Sequence, residues 1–105
     1  MTHKHGRTDA NHTEIVNALQ AIGASVTSLA DVGGGCPDLL VGYRGQNMLL
    51  EVKDGRKPPS ARGLTAAEQK WHDTWRGTVY IVYSAMDAVT LVNTMTLEPD
   101  ELPFT

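Results

Sequence analysis

The sequence predicts an α/β domain in which a mixed sheet, centred on a hairpin, is flanked by helices. Three observations carry this prediction. Apolar residues recur at helical spacing near the N-terminus, at Ile15, Leu19 and Ile22. Two apolar runs, 39–43 and 48–52, enclose the turn-forming stretch Arg44-Gly45-Gln46-Asn47. Beyond them a capping box, Thr65-Ala66-Ala67-Glu68, opens a second helix, and a β-branched run and a third helix follow.

In chain order, residues 1–8 are polar and read as a flexible tail. The first helix runs from about Asn11 to Ile22 and stops at Gly23. Glu14 sits at the edge of its apolar stripe. An acid there suits a site beside the sheet, and it equally suits a capping box with Asn11 as N-cap and Glu14 at N3. Residues 24–29 form a short strand expected at one edge. Gly33-Gly34-Gly35 give a tight loop, and with no Gly-Lys-Ser/Thr behind them they are not a P-loop. Cys36 reads as a small half-buried residue rather than a nucleophile. In the second helix Trp71 and Trp75 share a face suited to core or interface, and His72 reads as a partly exposed helix histidine. Residues 78–84 read as a strand covered on both faces. Ser84 and Asp87 then start a helix over 85–95. The domain therefore spans 9–95, and 96–105 is an acidic, proline-bearing, extended tail.

With 105 residues the chain fits one compact domain. A single cysteine among four histidines allows no internal disulfide and no zinc-finger spacing. No apolar run reaches the ~20 residues of a membrane span, and the N-terminus lacks a signal-peptide core, so a cytoplasmic location is expected. Formal charge is −3, but it is unevenly spread. The window from Lys53 to Arg76 holds six bases against three acids, a surplus of +3 that leaves −6 for the rest of the chain.

The chemistry concentrates in the hairpin. Side chains alternate along a strand, so Glu51 and Lys53 share one face and Val52 takes the other. A turn centred between Gly45 and Gln46 sets Asp38 opposite Lys53 and Leu40 opposite Glu51, with all three charged groups on one face. Glu and Lys two apart can also make an ordinary solvated face with a weak ion pair. Here the strand is otherwise apolar, and buried strands rarely carry charge without a partner or a metal. Two carboxylates and an ammonium fit a divalent cation with the lysine beside the attacked group. The basic loop that follows, with Arg56, Lys57 and Arg62, and Lys70 beyond it, suits a phosphodiester backbone.

These residues resemble a known signature. Pro37-Asp38 followed by Glu51-Val52-Lys53 is similar to the motif of the PD-(D/E)XK nucleases. The wider wording, Gly-Gly-Gly-Cys-Pro-Asp-Leu-Leu-Val-Gly, Leu-Leu-Glu-Val-Lys and Leu64-Thr65-x-x-x-Gln69, resembles the small stand-alone VRR-NUC family over roughly Glu14 to Val92. The resemblance implies a restriction-endonuclease-like three-layer sandwich, an αβββαβ core plus a C-terminal helix. It also implies a Mg²⁺- or Mn²⁺-dependent DNA endonuclease acting as a homodimer on branched DNA such as four-way junctions. Asp38, Glu51, the Val52 backbone carbonyl and Glu14 would hold the metal. Lys53 would act on the water and the phosphate, and Gln69 would orient one of them. A nicking or restriction-like nuclease without branch preference, and a non-catalytic DNA-binding module, are the alternatives.

Overall fold

The computed structural model describes residues 10–101. Helix α1 (Ala10–Ala21) leads into β1 (Ser25–Ser28), β2 (Leu39–Tyr43) and β3 (Gln46–Val52). Helix α2 (Ala66–Thr74), strand β4 (Tyr80–Val82) and helix α3 (Ala85–Met95) follow, with short 3₁₀ turns at Pro59–Ala61 and Pro99–Glu101. The four strands lie in the order β1-β2-β3-β4. The first two pairings are antiparallel and β3–β4 is parallel, so α2 serves as the crossover that a parallel pair requires.

Strand alternation divides the sheet into two unlike faces. Leu39 and Val41 of β2 pair with Leu50 and Met48 of β3, and all four are buried. They join Ile15 and Leu19 of α1 and Ala88 and Val92 of α3 in one core, with α1 and α3 packed on each other. The other face carries Asp38, Leu40, Leu49 and Glu51, and α2 meets it through His72 and Glu51. The coarse expectation of helices around a mixed sheet with a central hairpin thus describes the chain.

The hairpin turn differs from the expected one. Tyr43 pairs with Gln46, so the loop is the two residues Arg44-Gly45, both at positive φ (51° and 79°). Such turns match the right-handed twist of the flanking strands, whereas a longer turn would splay them. Gln46 and Asn47 are therefore strand residues. The register moves by two positions, which keeps every side chain on its expected face but changes partners. Continuing the pairing past Leu39–Leu50 sets Asp38 opposite Glu51, rather than opposite Lys53.

Asn11 is not an N-cap. The helix already includes Ala10, and Asn11 is 2% exposed, its amide donating to the carbonyls of Lys53 (2.7 Å) and Tyr83 (3.4 Å). It ties α1 to the ends of two parallel strands. The caps on the other helices match expectation: Thr65 with Glu68 forms the reciprocal box on α2, and Ser84 Oγ accepts the Asp87 N–H on α3. Strand β4 is shorter than expected and lies at the sheet edge, with Tyr83 beyond it 38% exposed, so it is not covered on both faces throughout. Between residues 96 and 101 the tail is not simply extended: Pro99–Glu101 turn, and Glu101 pairs with Arg44 at the hairpin tip (3.0 Å). The proposed tail at 1–8, residue 9 and residues 102–105 lie outside the described residues.

Candidate active site

The site lies where β2 begins and β3 ends. Pro37 is buried and leads Asp38 into β2; Asp38 Oδ2 accepts the backbone N–H of Val52 at 2.7 Å. That bond fixes one carboxylate against the partner strand, directly across from Glu51. Glu51 is 1% exposed and shares a hydrogen bond with Asp38. Burial first, then that bond and the negative charges of Asp38 and Glu68, push its carboxyl up to about 9, with Lys53 pulling weakly the other way. In the absence of a cation Glu51 therefore holds its proton at neutral pH, donating it to Asp38. Two acids sharing one proton is what like charges do when water is excluded from between them.

Lys53, two residues on, shares the Glu51 face. Its Nζ lies 2.7 Å from Glu68 Oε1, with both side chains largely buried (15% and 20% exposed). Burial works against ionisation of Glu68. Hydrogen bonds from Lys53 and the Thr65 N–H, together with the Lys53 charge, outweigh it and hold the carboxyl below its usual range. His72, one turn further along α2, brings Nε2 to 3.3 Å from Glu51 Oε1 and packs edge-on against Trp71. This partly exposed histidine is not expected at the site from the sequence, yet its side chain, 11% exposed, meets Glu51. Residues four apart on a helix share a face, so the capping box that places Glu68 also places His72. That spacing was the available signal for both. Burial and the charges of Glu51 and Asp38 push the Cys36 thiol up, which suits its reading as an unreactive neighbour.

The remaining residues singled out from the sequence lie around this centre rather than in it. Gln69 faces away along α2, its amide donating to Asp73 at 2.8 Å on an exposed surface. Glu14 is half-exposed and 3.7 Å from Arg56, in a cleft shared with Asn11, Arg62 and Tyr83. Arg56 also pairs with Asp54 at 3.0 Å. Arg62 is half-buried, and its Nε has no hydrogen-bond partner among the described residues. Lys57 and Lys70 are exposed. Beside the acid pair, on the same sheet face, Leu40, Leu49, Val32 and the stacked rings of Trp71 and Trp75 (centroids 4.5 Å apart) line an open apolar groove of about 550 Å³.

As a donor set, Asp38 and Glu51 are two hard carboxylates whose own repulsion is relieved by a proton and would be relieved further by a cation. Among the described residues no group of three or more His, Cys, Asp or Glu side chains gathers to hold a metal. The two carboxylates that do meet are hard oxygen donors of the kind Mg²⁺ or Mn²⁺ takes, since a small hard ion retains waters and accepts substrate phosphate oxygens alongside one or two carboxylates.

Fold and site together define an α/β chain with an acid pair, Glu51 buried and Asp38 half-buried, and an adjacent, tethered lysine. No family model matches it, and no curated protein or solved structure does so significantly. None of its helices is long and apolar enough to cross a membrane, among the described residues.

Proposed function

We propose that the chain is a metal-dependent DNA endonuclease of the PD-(D/E)XK type, VRR-NUC-like, with its sheet and helices in that family's sandwich arrangement. The single observation that carries this is the convergence of Asp38, Glu51 and Lys53 on one sheet face, the acids paired with Glu51 buried and Asp38 half-buried, the ammonium held beside them by Glu68. Asp38 and Glu51 would bind Mg²⁺ or Mn²⁺, with the Val52 carbonyl alongside, while Glu14, paired with Arg56, stands outside this set. Such an ion supplies Lewis-acid polarisation of a phosphodiester and activation of water. The Val52 N–H keeps Asp38 oriented, and Lys53 Nζ stabilises the charge that develops on the phosphate. Arg56, Lys57, Arg62 and Lys70 supply sequence-independent attraction for the backbone. The resemblance implies 5′-phosphate and 3′-hydroxyl products. It also implies a homodimer that cuts branched DNA, for which the apolar groove beside Trp75, 46% exposed, offers a surface.

The test is cleavage of four-way junction, nicked and linear duplex DNA with Mg²⁺, Mn²⁺ and EDTA, with sedimentation in parallel. Metal-dependent cutting of the junction by a dimer supports the full reading. Equal cutting of all three substrates supports the nicking or restriction-like alternative. DNA binding without cutting by well-folded protein, at any metal concentration, leaves the non-catalytic module.

A further inference from the structure

Lys53 stands two residues from Glu51 on one face of a strand and carries a flexible ammonium next to the buried carboxyl of Glu51 and the half-buried one of Asp38. Left to itself, such an ammonium closes onto the acids, because opposite charges in a poorly hydrated site attract strongly. In the structure its ion pair is instead with Glu68, at 2.7 Å. Glu68 is held from several sides. Its Oε1 also accepts the Thr65 N–H at 2.8 Å, and its own N–H donates to Thr65 Oγ1 at 3.2 Å. The helix turn that carries it is set against the glycine loop: Gly35 (φ 83°) lies so close to the Ala67 carbonyl that a Cβ there would collide with it. The same loop leads into Cys36, Pro37 and Asp38. The grip on Lys53 is thus registered to the strand that carries the acid.

We propose that Glu68 is a positioning residue that keeps Lys53 off the Asp38–Glu51 pair, so that the pair stays open to a divalent cation while the ammonium waits beside it. Without Glu68, Lys53 becomes an internal cation that competes for the acids. Gln69, its neighbour in sequence, has no part in this, being turned to Asp73. The inference rests on the metal-dependent reading above.

The experiment is a double-mutant cycle on the full chain, read as Mn²⁺ affinity by calorimetry, with cleavage measured separately. Glu68→Gln keeps the capping box, which accepts glutamine at N3, but removes the charge that holds Lys53. The expected result is about tenfold weaker Mn²⁺ binding in Glu68→Gln, within the range of coupling between groups in contact. In a Lys53→Met background the same substitution should change affinity less than about twofold, because the competitor is gone. Thr65→Ala, which loses the cap but leaves Glu68 charged, should melt earlier yet bind Mn²⁺ like wild type. Equal weakening by Glu68→Gln in both backgrounds, no weakening in either, or weakening by Thr65→Ala as large as by Glu68→Gln would overturn the proposal. If wild type binds Mn²⁺ and cuts DNA while the cycle is additive, only this inference fails. If wild type neither binds Mn²⁺ nor cuts, the metal-dependent reading falls and this falls with it.

Discussion

Replacing Glu51 with glutamine tests the acid pair without requiring any activity. The side chain keeps its shape and can still donate a hydrogen bond to Asp38, but it no longer titrates. In the wild-type protein the Glu51 carboxyl lies near 9 when folded, against an ordinary value of 4.5. The folded state therefore holds a proton that the unfolded chain releases above pH 4.5, and stability falls as pH rises between those two values. Each pH unit in that window removes about 1.4 kcal/mol. Going from pH 5.5 to 8.5 should cost wild type about 4 kcal/mol more than Glu51→Gln, on a total stability of roughly 5–15 kcal/mol for a domain. Glu51 is buried, so solvent screening does not erase the effect. Urea denaturation in EDTA at pH 5.5, 7 and 8.5 measures it, and the subtraction removes groups common to both proteins. The curves should diverge with rising pH, with the variant the more stable at pH 8.5. Parallel curves would refute the shared-proton description of the pair. Saturating Mg²⁺ should recover the wild-type loss at high pH, because ligand binding to the folded state adds stability.

Lys53→Ala should abolish cleavage while leaving the fold and metal binding in place, since an ammonium is not a metal ligand; full cleavage by this variant would remove Lys53 from the reaction. Glu14→Gln should change cleavage at limiting metal less than about threefold and stability by less than about 1 kcal/mol, because the half-exposed Glu14 pairs with Arg56 rather than with the acids. A sharp loss that high Mg²⁺ restores would instead make Glu14 a ligand. Gly35→Ala combines a positive φ with a collision at the Ala67 carbonyl and should lose more than about 2 kcal/mol in chemical denaturation. A loss within about 0.5 kcal/mol would show that the loop does not set the position of α2.

The sequence by itself determined the element order, both capped helix starts and the face on which the charged residues meet. These are local properties. Periodicity, caps and strand alternation depend on residues a few positions apart, and so Thr65–Glu68, Ser84–Asp87 and the common side of Glu51 and Lys53 were legible. The face survived even a mistaken turn, because moving the register by two restores the alternation. Only the tertiary structure decided which partners meet. Asp38 faces Glu51 because the turn is two residues long, a choice set by twist matching between strands. Glu68 reaches Lys53 across fifteen residues, and His72 reaches Glu51 across twenty-one, because the crossover lays α2 over the end of the hairpin. Asn11 joins α1 to the Lys53 and Tyr83 carbonyls across still longer separations. Its spacing to Glu14 mimics a cap, and only burial against the strand ends reveals the other use of the same side chain. Pairing of this kind depends on where packed elements come to rest, and no local pattern encodes it.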